Sequence, residues 1–158
     1  MAARIGLTQR VEEVPARAER RDALDQRWAA LLAGAGHVPI PIPNLVPDVV
    51  AHLEALDVDL LVLTGGNDLA GLPGATAVAP ERDALEQLAL DHAQRCGLPV
   101  LGVCRGLQSM VHHGGGRLER VQGHVGAVHA VQVVADSPWP LVPAREVNSF
   151  HDWGVAPS

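Results

Sequence analysis

Short apolar runs, separated by longer amphipathic stretches, organise most of this chain. The runs predict β-strands over residues 4–8, 37–42, 58–64 and 100–103. The third contains the unbroken run Leu60-Leu61-Val62-Leu63, and such runs are typical of strands covered on both faces, as we also expect for the fourth. Apolar spacing between the runs predicts helices over residues 22–35, 47–56, 81–95 and 105–113. Strands that alternate with helices predict an α/β fold with a doubly wound, mostly parallel sheet.

Finer predictions follow from turn residues and charges. Residues 11–21 are charged and predict a loop that leads into the first helix. One face of that helix would carry Leu24, Trp28, Leu31 and Leu32. Prolines at positions 39, 41 and 43 predict that the second strand lies near a sheet edge.

The remainder of the chain is less regular. Residues 65–80 are rich in glycine, alanine and proline and predict a loop. From Arg117 the pattern changes, with a strand predicted over residues 129–134 and a proline-containing loop over residues 137–143. Because no repeat, low-complexity tract or linker interrupts the sequence, residues 1–158 predict a single domain.

Composition narrows the class of protein. With 158 residues and 47% hydrophobic residues, the chain can bury a core. The net charge is −6 and all 12 basic residues are arginine, which argues against nucleic-acid and anionic-membrane partners. The absence of lysine excludes a Schiff-base lysine and a phosphate-loop lysine. The start has no secretory signal, no apolar run reaches membrane-spanning length, and we expect a cytoplasmic location.

A nucleophile at a strand-to-helix junction is the sharpest chemical feature. Residues 101–108 read LGVCRGLQ, so Cys104 has a glycine two positions away on each side. This is the layout of a nucleophile elbow, whose sharp turn leaves room only for small neighbours. The sulfur would sit at a helix N-terminus, where free N–H groups favour the thiolate, and the N–H of Arg105 would stabilise an oxyanion. The alternative is that Cys104 is a small buried residue on a tight turn.

A second loop supports the catalytic interpretation. Residues 64–68 read TGGND and follow the third strand, so they should open at the same sheet edge as Cys104. Adjacent glycines allow backbone N–H groups to approach a substrate oxygen closely. The alternative is an ordinary turn after a strand.

Other candidate residues favour structural roles. Cys96 is predicted to be a packing residue at a helix end, and two cysteines do not suggest a disulfide scaffold. His112 and His113 would lie at a helix C-terminus, where the dipole favours them. None of the histidines has the spacing of a helical metal site, so we expect no metal and no cofactor.

These motifs resemble a known family. The segment from Gly102 to Gln108 is similar to the nucleophile motif of class I glutamine amidotransferases, and the arginine after the cysteine indicates the γ-glutamyl hydrolase, or peptidase C26-like, branch. Residues 64–68 resemble the oxyanion loop of that branch, and residues 147–151 (VNSFH) its substrate-pocket segment. Three further segments resemble the γ-glutamyl-CDP-amidate hydrolase subgroup: residues 6–10, 21–25 and 123–126.

The resemblance implies a flavodoxin-like fold and a set of roles. Cys104 would attack the γ-amide carbonyl and form a γ-glutamyl thioester, with the N–H groups of Gly66 and Arg105 holding the oxyanion. The glutamyl group would be positioned by Gln108, Ser149 and His151. The substrate would be a small-molecule γ-glutamyl amide, and a second copy of the chain or a synthase is a candidate partner.

One part of the family pattern is missing from this sequence. In the family the base and its orienting carboxylate come from a His-Pro-Glu strand near the carboxyl terminus, and the chain contains no such motif. We therefore expect the domain to be incomplete at its C-terminus, without the last strands of the sheet, and to have little hydrolase activity alone. His151 is an alternative base, although Asp152 should point to the opposite face of an extended segment.

Two other functions remain open. The chain could be a non-catalytic or truncated amidotransferase-like binding domain, which the missing base favours. It could also be a thiol redox or stress protein with a single elbow cysteine.

Overall fold

A four-stranded parallel sheet with helices on both faces forms the centre of the first unit, Met1–Gly116. The computed structural model describes residues 1–130 and 146–156. The strands of this unit are β1 (Arg4–Thr8), β2 (Arg10–Val14), β3 (Glu19–Ala23), β4 (Val38–Ile42), β5 (Leu60–Leu63) and β6 (Val100–Gly102). Its helices are α1 (Gln26–Gly34), α2 (Val49–Leu56), α3 (Pro80–Cys96) and α4 (Arg105–His113). The sheet order is β4-β1-β5-β6, with every neighbouring pair parallel.

Side chains of β5 alternate between two apolar clusters, as a buried parallel strand requires. Leu61 and Leu63 pack with Leu53 of α2 and Leu85 of α3 on one face. Val62 packs on the other face with strand residues, and the partly buried Trp28 of α1 covers that cluster. The prediction of an α/β fold with a doubly wound, mostly parallel sheet is thereby confirmed.

Element positions agree with the sequence for most of this unit, and β4 does lie at a sheet edge. The first helix begins later than predicted, at Gln26, because Asp25 caps it by accepting a hydrogen bond from the N–H of Arg27 at 2.9 Å. Leu31 was wrongly assigned to the apolar face, since its side chain is 63% exposed. The expectation that the fourth strand is covered on both faces is also wrong, because Leu101 is 50% exposed.

The predicted loop over residues 11–21 is instead an antiparallel hairpin. Strands β2 and β3 pair from Arg10 opposite Ala23 to Val14 opposite Glu19, through a single 3₁₀ turn. Arg20 of β3 binds Glu81 at the start of α3, at 2.7 Å. The hairpin therefore lies beside the helix and the loop that face the predicted nucleophile.

The second unit, Arg117–Ser158, is formed by two antiparallel strand pairs in its described part. The strands are β7 (Leu118–Arg120), β8 (Val125–Ala130), β9 (Glu146–Phe150) and β10 (Trp153–Val155). β8 pairs with β9, and β7 pairs with β10. The strand predicted over residues 129–134 begins earlier, at Val125; its residues 131–134, and the loop predicted over 137–143, lie outside the described residues. The prediction of one domain over 1–158 stays a prediction.

Among the described residues, no helix is both long enough and apolar enough to span a bilayer.

Candidate active site

Cys104 occupies a strained backbone position between β6 and α4. Its φ is 55° and its ψ is −114°, a combination that non-glycine residues avoid. Cys104 is the residue immediately before the first turn of α4, and its side chain is exposed. The chain therefore holds a thiol above the carboxyl end of β6 at the beginning of a helix, as the elbow pattern predicts.

Both flanking glycines are required by close backbone approach. A Cβ at Gly102 would lie 2.7 Å from the backbone N and Cα of Leu107 and 2.7 Å from Sδ of Met110. A Cβ at Gly106 would overlap the carbonyl oxygen of Leu63 on β5. The second glycine thus allows α4 to pack directly on the neighbouring strand, a reason that the sequence pattern did not reveal.

The first turn of α4 presents a free backbone donor next to the thiol. The N–H of Gly106 donates to the carbonyl of Val103 at 2.9 Å, and that of Gln108 donates to the carbonyl of Cys104 at 3.2 Å. The N–H of Arg105 has no protein acceptor within residues 1–130 and 146–156. It is therefore available to donate to a substrate oxygen.

The loop after β5 lies beside Cys104. A Cβ at Gly65 would be 3.4 Å from Cβ and 3.8 Å from Sγ of Cys104. Gly66 has a φ of +89°, and a Cβ there would also lie 2.9 Å from Cδ of Arg10. The N–H of Gly66 has no acceptor in the described part of the chain. Both predicted oxyanion donors are thus free, one on each of the two segments that meet at Cys104.

A fully buried arginine on α3 holds this loop from below. Arg82 has 0% exposure, and its guanidinium donates to the carbonyl oxygens of Thr64 and Gly66 at 2.6 Å and of Gly65 at 3.2 Å. Its Nε donates to Glu86 at 2.9 Å. Asn67 ties the loop to the hairpin, since its amide group accepts from the N–H of Val11 at 2.8 Å and donates to the carbonyl of Val11 at 3.0 Å.

Glu86 joins this arginine to the elbow. The carboxylate, also 0% exposed, binds both Arg82 and Arg105, while Arg105 contacts Asp83 as well. Burial acts to raise the pKa of Glu86, but the positive charges of Arg105 and Arg82 outweigh it and the pKa lies below its usual value. Burial and the charge of Arg105 likewise lower the pKa of Arg82. The carboxylate therefore stays ionised between two cations.

The remaining predicted site residues are distributed over both units. Gln108 lies on α4, one turn after Cys104. Ser149 of β9 is 8% exposed, and His151 follows that strand. His151 Nδ1 lies 3.0 Å from the carbonyl oxygen of Trp153, whereas Asp152 contacts Arg120 at 3.4 Å. Asp152 therefore faces a different partner from His151, in line with its expected position on the opposite face.

The described residues contain no group of three or more histidine, cysteine or acidic side chains arranged to hold a metal ion. His112 and His113 do lie at the C-terminus of α4, where His113 contacts Asp91 at 3.3 Å. Cys96, at the end of α3, lies 3.6 Å from Nε2 of His92. These last contacts give His113 and Cys96 local structural partners.

Comparison with known families identifies the chain's relatives. Residues 4–157 match the Peptidase C26 family over nearly the whole sequence. The chain belongs to the Peptidase C26 family. The resemblance that the Cys104 and Gly65-Gly66 motifs carried is thereby confirmed.

Three curated relatives are similar to this C26 chain. It is 26% identical to the γ-glutamyl-CDP-amidate hydrolase of Campylobacter jejuni subsp. jejuni, over 77% of the chain and 60% of the relative. It is 29% identical to YvdE of Lactococcus lactis subsp. lactis, named as a glutamine amidotransferase-like protein, over 80% of the chain and 62% of the relative. A homologue of YvdE from Lactococcus lactis subsp. cremoris is 38% identical over 73% of each chain. The C26 chain therefore spans about three fifths of the length of the first two relatives.

A solved structure supports the fold. A Thermoplasma acidophilum protein, named for the synthesis of GMP as part of a GMP synthase, superposes with a TM-score of 0.64 at 16% identity. The match covers 98% of this C26 chain and 67% of the other chain. At this identity the likeness concerns the fold alone.

Sequence reasoning missed the buried charges of the C26 chain, Arg82 and Glu86. They lie on the stripe of α3 that also carries Leu85, Ala89 and Ala93, all buried. Two opposite charges four residues apart usually indicate a solvated helix face. Their position within an apolar stripe was the available signal, because a charge there must be paired inside the core.

Proposed function

We propose that this chain supplies the nucleophile, the oxyanion site and part of the substrate pocket of a γ-glutamyl amide hydrolase, with γ-glutamyl-CDP-amidate as the candidate substrate. The proposal rests on the C26 family match and on the relative that bears that substrate's name. The observation that carries it is the approach of Gly65 to Cys104, with the Cβ position of one lying 3.8 Å from the Sγ of the other. A nucleophile and a loop of free N–H donors are then adjacent, as acyl transfer requires.

The proposed reaction has two steps. In the first, the Cys104 thiolate attacks the γ-carbonyl carbon, the C=O electron pair moves to oxygen, and the N–H groups of Gly66 and Arg105 stabilise that oxyanion. Collapse of this intermediate expels the amine, which takes up one proton, and leaves a γ-glutamyl thioester on Cys104. In the second step, water attacks the thioester through a similar oxyanion, releasing glutamate and the free thiolate.

Substrate contacts are proposed for three residues. Gln108 is placed one helical turn after the nucleophile and would contact the glutamyl group. Ser149 has a buried hydroxyl without a protein partner among the described residues, so it can bind a polar substrate group. His151 follows the same strand and would bind the α-amino or α-carboxylate end of the glutamyl group.

An affinity label tests this proposal. A chloroketone analogue of glutamine should alkylate Cys104 and spare Cys96, because only Cys104 would lie in a pocket that recognises a γ-glutamyl group. Peptide mass spectrometry locates the adduct, and the Cys96→Ser and Cys104→Ser variants serve as matched controls. Free γ-glutamyl-CDP-amidate should slow the labelling more strongly than glutamine does.

Other results would reject the proposal. Equal labelling of both cysteines, or labelling that neither γ-glutamyl compound slows, would show that no γ-glutamyl pocket exists at Cys104. Rapid conversion of Cys104 to a sulfenic acid by peroxide, together with such indifferent labelling, would favour a redox function instead.

A further inference from the structure

We propose that Arg82 is the positioning residue that fixes the orientation of the oxyanion loop, although it does not contact substrate. This inference rests on the proposed function, because an oxyanion loop matters only if Cys104 attacks a carbonyl group. It assigns a catalytic consequence to a buried ion-pair network that otherwise has only a structural role in the core.

The contacts of Arg82 with the loop are unusual in their arrangement. One guanidinium donates to three consecutive backbone carbonyls, those of Thr64, Gly65 and Gly66. It also lies within 3.2 Å of the hydroxyl of Thr64 and 3.4 Å of the side-chain oxygen of Asn67. An arginine can satisfy so many acceptors because its donors form a planar fork, which an ammonium group cannot reproduce.

These contacts determine where the loop's N–H groups point. In a planar trans peptide, the carbonyl of one residue and the N–H of the next point in opposite directions. Carbonyls of residues 64, 65 and 66 that face Arg82 therefore turn the N–H groups of residues 65, 66 and 67 away from it. The N–H of Gly66, which has no acceptor in the described part of the chain, belongs to this set. A flip of the peptide between Gly65 and Gly66 would break a contact with Arg82 and withdraw the proposed donor.

The loop needs such an external hold because glycine is conformationally free. Gly65 and Gly66 together allow many peptide orientations, and Gly66 adopts a φ of +89°. Arg82 is itself held in place, being fully buried and paired with Glu86. Glu86 also binds Arg105, whose N–H is the second proposed donor. One carboxylate thus links the residues that orient both halves of the oxyanion site.

The test compares two reactions of the same sulfur. A γ-glutamyl 4-nitrophenyl ester acylates Cys104 through an oxyanion, and its nitrophenolate leaves with its electron pair and without a proton. Iodoacetamide alkylates Cys104 by direct displacement of iodide, with no oxyanion. Arg82→Lys should lower the acylation rate by about 100-fold, as the loss of one oxyanion donor does, and leave the alkylation rate as in wild type.

Arg20→Lys is the matched control. Arg20 also binds a glutamate of α3, Glu81, at 2.7 Å, but it is 44% exposed and donates to no loop carbonyl among the described residues. Its replacement should leave both rates unchanged. The positioning inference is overturned if Arg82→Lys and Arg20→Lys behave alike, or if Arg82→Lys lowers acylation and alkylation by the same factor.

Failure of the proposed function gives a different result. In that case the wild-type Cys104 would react with iodoacetamide but not with the γ-glutamyl ester. If Arg82→Lys does not fold, as judged by circular dichroism, the double variant Arg82→Met/Glu86→Leu replaces the buried pair with apolar side chains, which such sites often tolerate. It should show the same selective loss of acylation, and a wild-type ratio of the two rates in this variant would overturn the inference.

Discussion

At the residue scale, the elbow shows how a sequence pattern and its physical reason can differ. The pair of glycines around Cys104 predicted a sharp turn, and the positive φ of Cys104 agrees with it. The predicted reason was crowding within the turn, which holds for Gly102 against Leu107. Gly106 is instead required by the neighbouring strand, because its Cβ would meet Leu63. That contact joins segments far apart in sequence, so local spacing could not reveal it.

The packing of Gly106 gives a stability prediction. Gly106→Ala should destabilise the fold by about 3 kcal/mol, because the added methyl group meets rigid backbone that must shift. Gly34→Ala is the control, since nothing lies within 4 Å of its Cβ position at the end of α1. That variant should be neutral or more stable by about 0.5 kcal/mol. Urea denaturation followed by circular dichroism measures both, and equal midpoints would contradict this account of Gly106.

At the scale of elements, regular periodicity predicted β5 and α4 well, whereas the hairpin of β2 and β3 was missed. Residues 10–23 have few apolar side chains, so no alternating pattern indicates strands. The hairpin depends instead on backbone pairing, on Asn67 contacting Val11, and on Arg20 contacting Glu81. The two side-chain contacts join segments that are far apart along the chain. The contact of Arg82 with the loop is of the same kind, so no local pattern could indicate it.

The buried network on α3 predicts how stability depends on pH. The pKa of Glu86 lies below its usual value of 4.5 because two arginines outweigh the effect of burial. Below about pH 4.5 the unfolded chain therefore binds more protons at this group than the folded chain, so the free energy of unfolding increases with pH. The stabilisation is complete above that pH and is lost as pH falls through the folded-state pKa.

Urea denaturation at a series of pH values tests this dependence. In Glu86→Gln the free energy of unfolding should be lower at pH 7, because two buried arginines lose their anion, and the slope in the acid range should be shallower. If this variant keeps the wild-type slope, another group is responsible for the acid dependence.

At the scale of the whole molecule, the sequence predicted the α/β class, the parallel sheet and the family. These agree because the motifs at residues 64–68 and 102–108 lie at two strand ends that meet in the fold. The roles of Ser149 and His151 rest on the order of motifs along the chain, and they stay predictions. The division into Met1–Gly116 and Arg117–Ser158 was not anticipated, although the change of pattern at Arg117 marks the boundary.

The most direct test of the central claim is detection of the thioester itself. Wild-type protein is exposed briefly to the γ-glutamyl 4-nitrophenyl ester or to the matching β-aspartyl ester, and intact-protein mass spectrometry follows the adducts. We predict one γ-glutamyl group on Cys104, removed by neutral hydroxylamine as a thioester is, and no adduct from the shorter ester. Equal labelling by both esters, or a γ-glutamyl adduct that persists in Cys104→Ser, would contradict the account.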